Sequence, residues 1–161
     1  MNTKLVERFL KYSHIAGNIN KEMNDKDFLL FLNNPDNSFE YKNIPTFNTY
    51  KKDIFENNKI DKSIVEANYA VTETGTVIIT ATEENFRKTI CFTKELNIVI
   101  LSSTLVESLE DIAPFLEKET SDGNSYISFI TGASRTADIE NELVIGVHGP
   151  EIVKIYLITN R

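Results

Sequence analysis

A succession of short apolar, β-branched runs, each ended by glycine, proline or polar residues, most tightly limits what this chain can fold into. The runs are Ile64 to Val71, Thr76 to Thr80, Asn97 to Leu101, Tyr126 to Ile130, Leu143 to Val147 and Ile152 to Ile158. They have the length of strands and lack the longer 3.6-residue periodicity of a helix. Asn97 to Leu101 is an uninterrupted apolar run, the pattern of a strand buried on both faces in a parallel sheet, and Tyr126 to Ile130 reads the same way. Glu73-Thr74-Gly75 separates the first two runs and predicts a hairpin or a strand–turn–strand bend. Ser103 or Thr104 caps a following helix, with Glu107 and Glu110 in its opening turns. Leu105, Leu109, Ile112 and Leu116 keep helical spacing there, and Pro114 limits or bends that helix. His148-Gly149-Pro150 between the last two runs predicts a closing hairpin. Such a short turn can close only an antiparallel edge, so the expectation is an α/β domain with a mixed sheet.

The first third is less regular. Leu5, Phe9, Tyr12, Ile15, Ala16 and Ile19 fall at three- and four-residue spacings, which predicts an amphipathic N-terminal helix over residues 1–20. Its apolar stripe docks either on its own domain or on a partner. Asp27 to Leu32 is a short helix or a strand. Residues 33–62 are rich in asparagine and carry Pro35 and Pro45, which predicts an irregular region with one helix over Thr49 to Asn57. The 161 residues suit one domain, 1–161.

A formal charge of -7 argues against nucleic acid or an anionic membrane surface as the main partner, since both reward basic surfaces. Cys91 is the single cysteine, so no internal disulfide and no cysteine-ligated cluster or zinc site has a ligand set. The first residues carry alternating charge and no apolar signal core, and no run approaches the roughly 18 apolar residues of a membrane span. These features predict a cytoplasmic location and no metal. Cys91 itself, between Ile90 and Phe92, reads as a buried apolar residue.

Candidate chemistry concentrates in two turns. Gly132 to Asp138 follows a strand directly, the usual ligand position in open α/β sheets. Gly132 allows close approach to the backbone, Ser134 and Thr136 offer hydroxyls, and Arg135 offers a charged fork suited to carboxylate or phosphate. If Thr136-Ala137-Asp138 opens a helical turn, its free N–H groups add to anion binding. The alternative is that Thr136 or Asp138 caps the turn and Arg135 pairs with Glu140 or Glu142. Glu73-Thr74-Gly75-Thr76 is either a plain hairpin turn or a second set of N–H and O–H donors for one small anion. Glu73 is a candidate base or the partner of Arg135, and His148 is a candidate proton-transfer group or a turn residue. Ser134, Asp138 and His148 do not make a nucleophilic triad, because the second glycine of the G-x-S-x-G elbow is missing and Asp138 lies in the same turn as Ser134. Cys91, His14 and His148 lack metal-ligand spacing.

The segment Thr131-Gly132-Ala133-Ser134-Arg135-Thr136-Ala137-Asp138-Ile139-Glu140, followed by Gly146-Val147-His148-Gly149-Pro150, resembles the signature of the lactate-utilization protein C family, the LUD domain (LutC and YkgG proteins). Members of that family read G-P-S-R-T-A-D-I-E and then V-x-G-V-H-G-P, and they carry an E-T-G-T turn comparable to Glu73–Thr76. Ala133 departs from the usual proline. The resemblance covers roughly Ile64 to Ile158 and implies a fold like the NagB/RpiA/CoA-transferase group, a mixed sheet flanked by helices. It also implies a chain shorter than other members, which have a fuller strand–helix segment before the E-T-G-T turn. On function it implies an accessory subunit of L-lactate oxidation that binds iron–sulfur partner subunits, with no cofactor of its own. Thr74, Gly75, Thr76, Gly132, Ser134, Arg135, Thr136 and Asp138 would then hold a small anionic ligand. The competing expectation is a stand-alone enzyme acting on a phosphorylated or CoA-linked substrate, with Glu73 as base and Arg135 as anion anchor. It rests on fold analogy alone.

Overall fold

The computed structural model describes residues 2–52, 60–121, 123, 126–139, 142–145 and 149–161, with the backbone alone for 52, 136–139 and 142–145. Helix α1 (Thr3–Ile15) is followed by strand β1 (Ile19–Met23), α2 (Asp25–Asn33), β2 (Tyr41–Ile44), β3 (Thr49–Lys52), β4 (Ile60–Glu66), β5 (Tyr69–Val71) and β6 (Thr76–Ala81). Then come α3 (Glu84–Phe92), β7 (Thr93–Leu101), β8 (Leu105–Val106), α4 (Ala113–Ser121), β9 (Tyr126–Ile130), β10 (Arg135–Ile139), β11 (Glu142–Ile145) and β12 (Ile152–Ile158). The main sheet has the order β1-β12-β7-β4-β2-β3, and a second sheet the order β8-β5-β6-β9. In the main sheet every pairing is parallel except that of β2 with β3. The architecture is therefore mixed α/β, with a central sheet flanked by helices.

Burial explains the layers. β7 is buried on both faces, as its uninterrupted run requires. Leu96, Ile98 and Ile100 face one cluster, together with Val6 and Phe9 of α1 and Phe86 and Ile90 of α3. Val99 faces the other cluster, where α2 contributes Phe28 and Leu32. The second sheet joins the first cluster through Val77, Ile79 and Ala81. Its far side presents Val71 and Ile78 to Ile112 and to Phe115 and Leu116 of α4. The apolar stripe of α1 thus docks on its own domain through Leu5 and Phe9, whereas Ile15 at its end is 66% exposed. Among the described residues no helix is long and apolar enough to cross a membrane.

Several expectations need correction. The N-terminal helix does not run to residue 20. Gly17, at φ 90, ends it just after Ile15, and Ile19 opens a strand. Asp27 to Leu32 belongs to a helix, which Asn24 caps by accepting from the Asp27 N–H. The irregular region 33–62 contains β2, β3 and the start of β4. Its described prolines and asparagines supply the turns between these elements: Pro45–Phe47 makes one 3-10 turn ending on Asn48 at φ 46, and Asn34 and Asn37 hold the bend after α2. Thr49 to Lys52 is strand and not helix, paired with β2; the rest of that predicted helix lies outside the described residues.

Ile64 to Val71 is two strands in two sheets. At the break the Ala67 N–H donates to Val99 O and the Asn68 N–H to Ile78 O. Asn68 Oδ1 then accepts from Thr80 N–H and Oγ1, so one asparagine moves the chain between sheets. The helix expected from Ser103 or Thr104 begins later. Ser102–Thr104 is a 3-10 turn, Leu105 and Val106 pair as a strand, and a capping box between Ser108 and Asp111 starts the helical stretch. Pro114 sits in the first turn of α4, where its missing N–H costs nothing. Tyr126 to Ile130 is a strand, but a partly exposed edge and not one buried on both faces. Among the described residues the expected closing hairpin does not form either. β11 pairs with β10, while β12 lies between β1 and β7, parallel to both. Val153, Ile155 and Leu157 face one cluster and Tyr156 and Ile158 the other, which demands an interior position. Cys91 is half-buried at the end of α3, not fully buried.

A polar pin crosses the start of the parallel strands. Fully buried Asn97 donates to Ser63 O at 3.0 Å, and to the carboxylate of Glu95 at 3.1 Å. Glu95 also meets Lys154 at 2.9 Å and Lys62 at 3.6 Å. Burial pushes the Glu95 carboxyl up, but the bonds from Lys154 and Asn97 and the two lysine charges outweigh it, leaving the group below its ordinary 4.5. A lowered folded value means that stabilisation is present above the ordinary value and is lost as pH falls through the folded one. Glu95→Gln should therefore cost about 1–2 kcal/mol at neutral pH, as for a charge-assisted hydrogen bond. Urea unfolding should show that difference shrinking as pH drops below 4.5. A difference that is independent of pH would contradict this role.

Candidate functional site

The two predicted turns are brought together by the β6–β9 pairing. Val77 stands opposite Ile130, so the next residues outward, Thr76 and Thr131, come side by side with their hydroxyl oxygens 2.8 Å apart. The Glu73–Thr76 turn is anchored by the Gly75 N–H donating to Val71 O and the Glu73 N–H to Glu107 O. Thr74 is exposed at its tip.

The element both turns meet is the end of α1, which sequence reasoning did not place here. Gly75 has φ +70, and a Cβ on it would come 2.7 Å from Tyr12 C and 2.8 Å from Ser13 Cα. A Cβ on Gly132 would come 2.6 Å from Ala16 O and 3.3 Å from Asn18 Oδ1. Both glycines are needed because backbone lies against backbone. Asn18, only 4% exposed, ties the ends together, donating to Thr131 O at 2.8 Å and to Ser13 Oγ at 3.0 Å. Ser13 Oγ in turn donates to Asn20 Oδ1. The available signal was Gly17-Asn18, a helix-ending pair directly after the amphipathic stripe.

Arg135 takes a third course beside the two considered for it. Its Nη2 donates to Ala16 O at 3.2 Å, so a cation satisfies a last-turn carbonyl of α1 and complements the helix dipole. It packs against Gly17, where a Cβ would strike the guanidinium. Among the residues whose side chains are described it makes no salt bridge, with Glu73 or any other carboxylate; the side chains of Glu140 and Glu142 lie outside them. Ser134 is fixed from its backbone, the N–H donating to Pro150 O at 2.8 Å, and its side chain rests on Gly149. Thr136 and Asp138 lie in β10, so the anticipated helical turn is a strand and supplies no helix N-terminus. His148 and Glu140 lie outside the described residues.

Thr131, Gly132 and Ser134 line a groove of about 430 Å³ that continues along β9, with Gly149 and Pro150 at that end. The Glu73, Gly75 and Ser134 N–H groups are already bonded to carbonyls, so what the arrangement offers an anion is the hydroxyls of Thr131 and Ser134 with the exposed Arg135 cation next in sequence. Among the described residues no group of three or more His, Cys, Asp and Glu could hold a metal.

Fold and site together define a mixed α/β protein in which a glycine-threonine turn and a glycine-serine-arginine loop clasp the end of the N-terminal helix. A family model described as the LUD domain matches residues 39–158, and the chain belongs to the LUD domain family of LutC and YkgG proteins. It is 31% identical over 114 residues to lactate utilization protein C of a Geobacillus strain, WCH70, covering 69% of this chain and 47% of that protein. It is 36% identical over 93 residues to lactate utilization protein C of Halalkalibacterium halodurans, covering 56% and 40%. With YkgG of Escherichia coli K12 it shares 34% identity over 98 residues, covering 59% and 42%. The chain thus spans less than half the length of each of these relatives. In fold it is similar to a crystal structure of a DUF162 family protein from Deinococcus radiodurans, with a TM-score of 0.70 at 11% identity and 98% of both chains covered.

Proposed function

We propose that the chain is a LutC-like accessory subunit of L-lactate oxidation, binding iron–sulfur partner subunits and a small anion, with no catalytic centre or cofactor of its own. Family membership carries the reading. The single Cys91 supports it, since electron-carrying clusters would have to come from partners. So does the site: Gly75, Gly132, Asn18 and Arg135 bond or pack against the end of α1, which suits a shaped surface better than an acid–base pair. The likeness to NagB/RpiA/CoA-transferase proteins belongs to the same proposal and extends to fold. The groove beside Thr131, Gly132 and Ser134 is where the anion would sit, with the exposed guanidinium of Arg135 nearby in sequence.

Deleting the gene should abolish growth on L-lactate, and the tagged protein should recover iron-containing subunits from native extract. Unimpaired growth together with no such subunits would remove the reading. Arg135→Ala separates ligand from scaffold. It should weaken binding of L-lactate or phosphate, followed by calorimetry, by about 1.5–3 kcal/mol, as for a charge-assisted hydrogen bond. Stability should fall by less than about 1 kcal/mol, because the bond to Ala16 is exposed. Unchanged affinity would take Arg135 out of the anion site.

A further inference from the structure

The sheet edges are not protected alike. An unpaired edge is a template for another strand, and chains guard against this with charge, proline, bulges or brevity. β1, at one end of the main sheet, exposes Lys21 and Glu22, and β3, at the other end, carries Lys51 and Lys52. β8, at one end of the second sheet, is two residues long. β9, at the other end, reads Tyr-Ile-Ser-Phe-Ile over five residues, with no charge and no proline. Its pairing with β6 is regular, without a bulge. Tyr126 and Phe129 are 45% and 50% exposed, and Phe92 at the end of α3 is 53% exposed.

The 430 Å³ groove follows this edge. Every residue from Tyr126 to Gly132 lines it, with Ile90 and Cys91 of α3 as one wall. Consecutive residues of a strand point to opposite faces, so a groove touched by all of them runs along the backbone edge. Among the described lining residues none is charged. Along Tyr126 to Ile130 an occupant should therefore be an extended, uncharged, apolar segment, which leaves the Thr131–Ser134 end free for the small anion.

We propose that this occupant is β9 of a second copy, paired antiparallel so that two four-stranded sheets become one continuous eight-stranded sheet. β9 is itself such a segment, and an isologous contact requires only that one strand complement itself. Full overlap of five residues puts Ser128 on the two-fold axis and Tyr126 opposite Ile130 of the other copy. An axis perpendicular to the sheet places both α3 helices on the same face, where each can cover the added strand. Tyr126 of the second copy then lies one residue from Thr131, so the seam extends to the edge of the signature loop. The inference does not depend on the lactate reading.

Light scattering during gel filtration should give twice the chain mass at micromolar concentrations. Phe129→Lys, at an exposed position, should keep the circular dichroism and raise the dimer dissociation constant at least roughly tenfold, since a lysine guards the edge. In a Cys91→Ser background, Ser128→Cys should form a disulfide-linked dimer on mild oxidation, whereas Lys21→Cys on the β1 edge of the main sheet should not. A monomeric parent protein would overturn the proposal. So would a dimer that Phe129→Lys leaves intact, or one in which Ser128→Cys forms no cross-link. If Phe129→Lys fails to fold, the cross-linking result decides alone.

Discussion

Gly75→Ala is expected to lower stability by about 3–5 kcal/mol, among the largest effects a single methyl group can have here. Two causes add. A side chain at φ +70 costs about 1–2 kcal/mol in any surroundings. The added Cβ also meets the backbone of Tyr12 and Ser13, which cannot swing aside like a flexible side chain. Relief requires α1 to lift, and α1 carries Val6 and Phe9, 3% and 0% exposed. Loosening those side chains accounts for the remainder. Gly123→Ala provides the control. Its φ of +67 is nearly the same, but nothing lies within 4 Å of the added methyl, so about 1–2 kcal/mol should be lost. Thermal unfolding should separate the variants by several degrees. Equal losses would mean that the Glu73–Thr76 turn does not bear on α1.

That contact shows what could be read in the sequence and what could not. The strands were legible where physical demand is strongest: Asn97 to Leu101 had to be buried on both faces, and β7 is. The β-branched run Thr76 to Thr80 likewise fitted a sheet between two layers, and Val77, Ile78 and Ile79 are all buried. Burial of Tyr126 to Ile130 was not legible, because an unguarded apolar strand looks the same as an interior one. Position of β12 was misjudged for the reverse reason. A short glycine-proline turn suggested a hairpin, while the doubly apolar run Ile152 to Ile158 already called for a place inside the sheet. Around Asn34, Pro45 and Asn48 the turn chemistry was correctly noticed. Strands of four residues between those turns leave too little periodicity to register.

In the candidate site, the meeting of Glu73–Thr76 with Gly132–Ser134 was legible as two glycine turns at strand ends. Their common neighbour was not. Ser13, Gly17 and Asn18 are distant from both turns in the chain, and the N-terminal helix predicted from the sequence runs through them to residue 20. Arg135 illustrates the same point, since its partner is a backbone carbonyl, to which no residue type in the sequence points.

Asn18 is the second position where a large effect is expected. Its amide nitrogen donates to Thr131 O and Ser13 Oγ, at 2.8 and 3.0 Å, from a side chain 4% exposed. Asn18→Ala deletes both bonds and leaves the part-buried Thr131 carbonyl without its partner, a loss of about 1–3 kcal/mol. Ser13 loses less, since it still donates to Asn20. Asn18→Asp should be worse at neutral pH, by about 3–5 kcal/mol, because it buries an unpaired charge and turns an acceptor toward a carbonyl. Both causes favour the protonated acid in the folded state, so its folded pKa is raised. The penalty should then be absent below the unfolded carboxylate value and grow as pH rises through the folded one. Urea titrations of Asn18→Asp should show stability recovering on acidification until it approaches that of Asn18→Ala. If Asn18→Asp matches the parent protein at neutral pH, the link between the end of α1 and the signature loop does not run through Asn18.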